Sequence, residues 1–386
     1  VTLSKATVTL TTTNANVSFG NTVDSDSGQT RNLTIDTNGN TGTVQFGGLV
    51  GDTDGLSAIT LTGKLDLNAN IVDAASLSVS GTSNLGANVT TTGTQTYTGA
   101  TVLSTDVTLT TDDSNITFGS TVRSDAAETS RDLTVNLDGN GGGTSADLIF
   151  NGIVGGASLP LDVMTLTGDL DLNASIGNSP GATSLTVSGT ADLGADVETT
   201  GTQTYSGAVT VSADGITLTT ANSQITFSST INSEASEGNA ISFAVGSSEV
   251  EFDGVIGGGT NGDLGAMTIT GALDLDNTVT SAASLSVSTT SNLGANVTTS
   301  GTQTYTGATT LSGGDRTLTA TTVNFGSTMT GTGSHDLTVT GNLDLDGALT
   351  SVVDLSVSGT SNLGANVTTS GTQTYTGAAI ISANIS

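Results

Sequence analysis

Short runs in which apolar and polar residues alternate dominate this chain. The run VTLT at 107–110 is typical, and alternation with a period of two predicts a β-strand with one buried face. No stretch has the length and the 3.6-residue periodicity of an amphipathic helix. The two prolines are Pro160 and Pro180, so backbone N–H groups can donate to neighbouring strands almost everywhere. The pattern predicts an all-β protein.

The strands belong to a long internal repeat. The sequence SLSVSGTSNLGANVTTTGTQTYTGA at 76–100 returns, nearly letter for letter, at 184–208, 284–308 and 354–378. All four tyrosines occupy one position of this block: Tyr97, Tyr205, Tyr305 and Tyr375. The repeat predicts units at 1–100, 101–208 and 209–308, a shorter unit at 309–378, and the start of a further coil at 379–386, all in one continuous solenoid.

A finer quasi-period of about 18 to 20 residues runs inside each unit. In the shortest unit it joins Tyr305, Val323, Val339, Val357 and Tyr375, each in a short strand near Gly or Asn turns. This spacing is typical of the coils of a parallel β-helix, whereas an antiparallel sandwich has turns roughly every 8–12 residues without such a recurring register. We therefore predict a parallel β-helix, or β-solenoid, of about 19 coils.

Stretches rich in Gly, Asp, Asn and Ser lengthen one coil in each of the first three units. They lie at 51–57, 139–146 and 257–265. We expect these stretches to be loops that bulge from the solenoid. Binding tends to concentrate on loops carried by a rigid scaffold, so these loops are the predicted contact points.

The repeated block also predicts which side chains form the core. Leu77 and Val79, with their counterparts in the other blocks, are expected to point inward and the intervening Ser and Thr outward. The four tyrosines are expected to be structural anchors of the repeat, with a ligand-stacking platform as the alternative. The block's glycines, Gly81, Gly86, Gly93 and Gly99, suit corners that need a positive φ.

The charge balance narrows the possible partners. The chain has 35 acidic and 6 basic residues, for a net charge of −29. A nucleic-acid binder needs the opposite sign, and direct binding to anionic lipid is disfavoured for the same reason. No apolar segment reaches the roughly 18 residues that span a membrane. The chain has no cysteine, which excludes disulfides and thiol chemistry.

The residues needed for catalysis are scarce. The one histidine, His335, lies in the turn GTGSHDL beside Ser334 and Asp336, and sequence neighbours on a strand point to opposite faces, unlike a catalytic triad. A structural zinc site needs several Cys or His ligands. The six basic residues are scattered and do not recur with the acids. We therefore predict a protein that is not an enzyme and needs no cofactor.

Calcium is the one metal that the sequence allows. An aspartate recurs in the LDL segments, as Asp66, Asp171, Asp274 and Asp344, and others such as Asp169, Asp276 and Asp346 lie close by. Calcium takes six to eight oxygen ligands, and carboxylate, amide and carbonyl oxygens are plentiful at these turns. The alternative is that these residues are outward strand carboxylates that discourage aggregation. The calcium-binding repeat of β-rolls and the EF-hand spacing are both missing.

The repeat resembles a known family. The block SLSVSGTSNLGANVTTTGTQTYTGA, the joined LTLTTDDSNITFGSTV, and the segments VQFGGLVG, LIFNGIVGG and VEFDGVIGGG are together similar to the giant exoproteins of the filamentous-haemagglutinin-like type. The resemblance covers essentially the whole chain. It implies a right-handed parallel β-helix, secretion to the bacterial cell surface, and a role as an adhesin or surface filament.

Two functions follow as expectations. The first is a non-enzymatic extracellular stalk or shaft segment of a large adhesin, with surface glycans or proteins as partners. The second is a structural subunit of a filament, sheath or surface layer, in which copies or further repeats of the same protein join end to end or side by side, with divalent cations as a candidate bridge. Fold alone does not decide between them.

Overall fold

The computed structural model describes residues 1–386 except 40, 127–128, 144, 157–158, 178–180, 260–261 and 384–386. Several predicted features therefore lie outside the described residues: Pro180, parts of the predicted loops at 139–146 and 257–265, and the last residues of the predicted coil at 379–386. The chain forms two compact units, Val1–Thr199 and Thr200–Ser386. Within the described part of each unit, the regular elements are all β-strands.

The first unit contains strands β1 to β23. In chain order they are Thr2–Leu3, Thr7–Thr11, Val17–Phe19, Asp24–Ser25, Arg31–Asp36, Thr43–Phe46, Leu56–Thr62, Lys64–Leu67, Ala74–Val79, Ser83–Leu85, Val89–Thr90, Gln95–Tyr97, Thr101–Leu103, Val107–Thr110, Ile116–Phe118, Val122–Ser124, Arg131–Asn136, Asp147–Phe150, Leu161–Thr167, Asp169–Leu172, Ser184–Val187, Ala191–Leu193 and Val197–Glu198.

The second unit contains strands β24 to β44. In chain order they are Gln203–Tyr205, Val209–Val211, Ile216–Thr219, Ile225–Phe227, Ile231–Ser233, Ile241–Phe252, Leu264–Leu275, Val279–Val287, Ser291–Leu293, Val297–Thr299, Thr302–Tyr305, Thr309–Leu311, Arg316–Phe325, Met329–Gly331, Leu337–Leu345, Leu349–Val352, Leu355–Val357, Ser361–Leu363, Val367–Thr369, Gln373–Tyr375 and Ala379–Ile381.

Successive coils pair through parallel strands in register. Ala74–Val79, for example, pairs with Gln95–Tyr97 one coil later, and Ser83–Leu85 and Val89–Thr90 lie between them in the chain. Three short strands therefore make one coil. The strands stack as a β-solenoid of about 18 turns, consistent with the predicted right-handed parallel β-helix.

The predicted inward residues form the core. Leu77 and Val79 are almost fully buried, and so are their counterparts in the other blocks: Leu185, Val187, Leu285, Val287, Leu355 and Val357. Tyr97, Tyr205 and Tyr305 are fully buried, and Tyr375 is half-buried. Each fully buried tyrosine stacks on a phenylalanine one coil later, at Phe118, Phe227 and Phe325, with ring centroids 5.1, 5.1 and 5.4 Å apart.

The repeated block does not return to the same side of the second unit. We call strands that pair in register through successive coils a column. The column of Tyr205 continues through Phe227, Phe252, Leu275, Leu293 and Leu311. Tyr305 lies in a second column, one coil after Val287, and Tyr375 in a third, one coil after Val357.

This change of column shows that one repeat does not contain a whole number of coils. Tyr305 lies in the chain between Leu293 and Leu311, which are four and five coils beyond Tyr205. One repeat therefore spans more than four but fewer than five coils. Within the second unit, the block's tyrosine therefore lies in a different column each time, at Tyr205, Tyr305 and Tyr375.

The block's glycines serve close approach and not a positive φ. Gly81, Gly86, Gly93 and Gly99 do not belong to the glycines with positive φ, so that prediction is wrong. A Cβ atom at Gly93 would lie 2.6 Å from the carbonyl oxygen of Ala75, and one at Gly86 would lie 2.8 Å from that of Leu67. The corners of adjacent coils approach so closely that any side chain would collide with backbone.

In the part of the chain that the structure describes, no helix has the length and apolar character required to cross a membrane.

Candidate functional site

Three of the four predicted calcium-binding aspartates accept a hydrogen bond from the asparagine one coil later. The amide nitrogens of Asn84, Asn292 and Asn362 donate to the Oδ1 atoms of Asp66, Asp274 and Asp344, at 3.0, 2.8 and 2.8 Å. Each asparagine is the register partner of its aspartate one coil later. These carboxylates therefore face a donor where a cation site would need further oxygen ligands. They form coil-to-coil ladders on separate repeats.

Asp171, the fourth candidate, is hydrogen-bonded to the side chain of Asn173, but the residue one coil later is acidic. Its register partner is Asp192, and Asp147 pairs with Asp169 in the same column. Burial and then the nearby Asp192 and Asp147 raise the pKa of Asp171. Burial, followed by Asp169, likewise raises the pKa of Asp147. Asp171 has an acidic register partner because this block reads Ala-Asp-Leu at 191–193, where the other three blocks have Ser-Asn-Leu.

A group of three carboxylates lies close enough to share a metal ion. Oxygen atoms of Glu251, Asp253 and Asp276 all lie within 4.8 Å of one another, and among the described residues this is the one such group of three. Burial raises the pKa of Glu251 and of Asp276, and the nearby Asp274 and Asp253 raise that of Asp276 further. Carboxylate oxygens are the ligands that calcium prefers.

Part of this acidic cluster already has protein partners. The Nε2 of Gln224 and the hydroxyl of Thr226 donate to Oε2 of Glu251, at 3.0 and 3.2 Å. Asp253 and Asp276 are exposed. The sequence analysis mentioned Asp276 only as one of the aspartates near the four candidates, and it missed Glu251 and Asp253. The alignment of the segment VEFDG with the following LDLD could have indicated these two residues, since Phe252 is the register partner of Leu275.

Other aspartates accept hydrogen bonds that link the corners of successive coils. Oδ1 of Asp315 accepts the backbone N–H of Asp336 at 3.0 Å, and Oδ1 of Asp336 accepts that of Asp354 at 3.0 Å. Oδ1 of Asp354 in turn accepts the N–H of Thr372 at 2.5 Å. Hydrogen bonds from Thr372 lower the pKa of Asp354. Much of the acidity of the chain therefore supports turns, where sheet hydrogen bonds end.

The histidine is not part of a catalytic arrangement with its sequence neighbours. His335 is half-buried and lies outside the strands, and the carboxylate of Asp336 accepts a backbone N–H from the next coil. Two of the basic residues are also tied to corners, because Arg31 pairs with Asp26 at 2.6 Å and Arg131 pairs with Asp125 at 3.0 Å.

The fourth arginine lies inside the solenoid. Arg316 is 8% exposed and occupies the inward position that Val107 and Ile216 hold in other repeats. Its Nε donates to the carbonyl oxygen of Leu293 at 3.0 Å, and Nη1 donates to that of Asp315 at 2.8 Å. Burial lowers the pKa of Arg316. The guanidinium therefore satisfies corner carbonyls, and its role is structural.

Hydrogen bonds hold two of the predicted loops in place, within the loop and to neighbouring coils. Oδ1 of Asp138 accepts the N–H of Gly143 at 3.0 Å, and the amide of Asn140 donates to Asp113 at 3.0 Å. In the loop at 51–57, Oδ1 of Asp54 accepts the N–H of Gly28 at 2.9 Å. The loops therefore present exposed backbone and polar groups in defined positions.

No family model matches the chain, and neither a curated protein nor a solved structure matches it.

Proposed function

We propose that this chain is a non-enzymatic stalk or shaft segment of a large, secreted bacterial surface adhesin. One observation carries the proposal: long inserted loops leave the stacked core undisturbed. The predicted loop at 139–146 lies in the chain between Ile116–Phe118 and Leu148–Phe150, yet these two strands pair in register. The rings of Phe118 and Phe150 stack at 5.5 Å. A scaffold that tolerates insertions of this kind suits the display of contact loops.

The chemistry of the surface indicates the kind of partner. The net charge of −29 favours neutral polar surfaces, such as glycans, or basic protein surfaces over nucleic acid or anionic lipid. Weak contacts made by several loops gain strength from multivalency. The resemblance to filamentous-haemagglutinin-like exoproteins supports the same function and a location at the cell surface.

A binding experiment tests attachment. Purified full-length chain coupled to fluorescent beads is applied to cultured host cells and to a glycan array, beside a variant in which residues 139–143 are replaced by a two-residue turn. We expect bead binding by the parent chain and a clear loss by the variant. Replacing Thr96, which lies outside the loops, by Ser is the matched control and should change nothing. Failure of the parent beads to bind any surface would contradict the attachment function.

A second candidate is a structural subunit that joins copies of itself. The observation in its favour is a stretch without charge at 355–386, which holds no Asp, Glu, Lys or Arg. Copies of a chain with a net charge of −29 can meet at such a stretch without like-charge repulsion.

A further inference from the structure

Asparagine is followed by glycine at four places in the chain: Asn38–Gly39, Asn140–Gly141, Asn151–Gly152 and 261–262. The last of these lies partly outside the described residues. In such a pair the backbone nitrogen of the glycine can attack Cγ of the asparagine side chain, because glycine has no side chain to obstruct the approach. The reaction requires an amide and a backbone nitrogen that can move toward each other, and the three described pairs differ in that freedom.

Hydrogen bonds hold both reacting groups at Asn140–Gly141. Nδ2 of Asn140 donates to Oδ2 of Asp113 at 3.0 Å, and Oδ1 of Asn140 accepts the N–H of Gly142 at 2.9 Å. The N–H of Gly141 donates to the carbonyl oxygen of Asp138 at 3.1 Å. The amide therefore cannot turn toward the nitrogen until its own hydrogen bonds break, and the nitrogen is itself engaged as a donor.

The packing of successive coils holds Asn151–Gly152. Oδ1 of Asn151 accepts the side-chain amide of Asn173 at 3.1 Å. The backbone N–H of Asn151 donates to the carbonyl oxygen of Phe118 at 2.9 Å. A Cβ atom at Gly152 would collide with the backbone of Ser120. The chain at this pair therefore lies tightly against the preceding coil and has little room to rotate.

Asn38–Gly39 has none of these restraints. Both residues are exposed, and a Cβ atom at Gly39 would meet nothing within 4 Å. The hydrogen bonds of Asn38 are made by its backbone, whose N–H donates to Oδ1 of Asp36 at 2.8 Å and whose carbonyl oxygen accepts the hydroxyl of Thr41 at 3.5 Å. Among the described residues, neither the side-chain amide of Asn38 nor the N–H of Gly39 has a hydrogen-bond partner.

The backbone of this turn explains why the pair occurs here. Asn38 has a φ of 58° and Gly39 a φ of 83°. Glycine adopts the left-handed region without steric cost, and asparagine tolerates it better than most residues. The turn therefore favours an Asn–Gly pair for its conformation, and the reactivity of that pair comes with it.

We propose that the fold makes Asn38 the site of spontaneous deamidation, with water as the second reactant, and protects Asn140 and Asn151. The nitrogen of Gly39 bonds to Cγ of Asn38, the bond from Cγ to Nδ2 breaks, and ammonia leaves with the proton of the Gly39 N–H. Water then opens the succinimide ring. Cleavage between that nitrogen and Cγ gives aspartate, and cleavage between that nitrogen and the backbone carbonyl carbon gives isoaspartate.

The reaction is confined to a turn that is fixed at both ends. Thr37 is fully buried, and its hydroxyl lies 3.2 and 3.1 Å from the carbonyl oxygens of Gly42 and Thr62. The strands on either side, Arg31–Asp36 and Thr43–Phe46, each pair with the following coil. Deamidation therefore adds one negative charge to an exposed turn and leaves the stacked core intact. This inference does not rest on the attachment function, and either can fail without the other.

Peptide mapping by mass spectrometry tests the proposal. The purified full chain is incubated in mildly alkaline buffer, and timed samples are digested and searched for the gain in mass when an amide becomes a carboxylate. We expect Asn38 to react about tenfold faster than Asn140, because three hydrogen bonds restrain the reacting groups of that pair. Asn151 should react as slowly as Asn140. A chain carrying Asn38→Asp supplies the reference peptide for the aspartate product.

Unfolding and one variant separate the effect of the fold from that of the local sequence. In urea the three pairs should react at similar rates, because the restraints on Asn140 and Asn151 are lost. Asp113→Gly removes the acceptor for the Asn140 amide and suits the positive φ of 51° at that position. This variant should deamidate faster at Asn140 and at an unchanged rate at Asn38. Circular dichroism confirms that it remains β-structured.

Two results would overturn the proposal. One is a folded chain in which Asn38 keeps its amide as long as Asn140 and Asn151 do. The other is an unfolded chain that retains the rate order of the folded protein, since the local sequence and not the fold would then set the rates.

Discussion

The hydroxyl of Tyr97 donates a 3.0 Å hydrogen bond to Oε1 of Gln95, two residues earlier on the same inward face. The same pair occurs at Tyr205 with Gln203 and at Tyr305 with Gln303, at 3.2 Å in both. Burial raises the pKa of all three tyrosines. The phenol therefore stays neutral and acts as a donor in a core where an unpaired hydroxyl would be costly.

We predict that this polar pair is needed for stability. Tyr97→Phe leaves Oε1 of Gln95 buried without its donor, which should lower the free energy of unfolding by about 1–3 kcal/mol. Gln95→Leu should cost more, because Nε2 of Gln95 also donates to carbonyl oxygens of Val89 and Thr110, at 3.3 and 2.9 Å. Denaturant unfolding measures both. Thr96→Ser, on the outward side, should match the parent. Equal stability of all three variants would refute a role for the pair.

The period-two alternation of apolar and polar residues was enough to predict most of this core. The predicted parallel β-helix and its inward Leu and Val residues are confirmed, and period-two alternation already placed Gln95 on the same face as Tyr97. The sequence analysis recognised the tyrosine and missed the glutamine, because glutamine is seldom buried. The hydrogen-bond partners of its amide lie in other strands, which a single repeat does not reveal.

The geometry of the corners was harder to predict from the sequence than the core was. Glycine in a turn usually indicates a positive φ, but Gly93 is required because its Cβ would meet the carbonyl oxygen of Ala75. The change of column between Tyr205 and Tyr305 depends on how many residues each corner takes up. The cluster of Glu251, Asp253 and Asp276 likewise depends on the register between coils. Both follow from the path of the backbone and not from local propensity.

Corner glycines supply a second prediction. Gly93→Ala should destabilise the protein by about 1–3 kcal/mol, because its Cβ would lie 2.6 Å from a backbone oxygen that cannot move without breaking the ladder. Gly20→Ala is the matched control, since a Cβ there meets nothing within 4 Å. Thermal unfolding of the two variants should separate them clearly. A Gly93→Ala protein as stable as Gly20→Ala would show that the corner has room.

A third prediction concerns hydroxyls buried in the core. Ser83 and Thr101 are register partners, both are at most 2% exposed, and neither side-chain oxygen has a hydrogen-bond partner in the described structure. The corresponding residues of the second repeat are Ala191 and Val209. The double change Ser83→Ala with Thr101→Val should therefore stabilise the protein by about 1–3 kcal/mol.

The reverse change provides the control for this pair. Ala191→Ser places an additional hydroxyl in the core and should lower the free energy of unfolding. Denaturant titrations of the parent and of both variants make the comparison. If the Ser83→Ala, Thr101→Val protein is less stable than the parent, the two hydroxyls contribute favourable interactions and the prediction is wrong.

The last prediction is that mild acid stabilises the protein. Burial raises the pKa of Asp147, Asp171, Glu251 and Asp276. The folded state therefore binds protons at pH values where the unfolded chain has released them. The stability from these groups is fully present below their unfolded pKa and is lost as the pH rises through the raised, folded pKa. Asp354 acts in the opposite sense, because its lowered pKa removes stability as the pH falls through that value.

Together the two kinds of carboxyl place the stability maximum on the acid side of neutrality, near the pKa that these groups have in the unfolded chain. Thermal unfolding at constant ionic strength, over roughly pH 3 to 8, measures it. Asp171→Asn should lessen the decline toward neutral pH, and Asp354→Asn should lessen the decline below the maximum, so each variant weakens a different limb of the profile. A midpoint temperature that rises steadily up to pH 7, unchanged in shape by Asp171→Asn, would show that the buried carboxylates are fully compensated in the folded state.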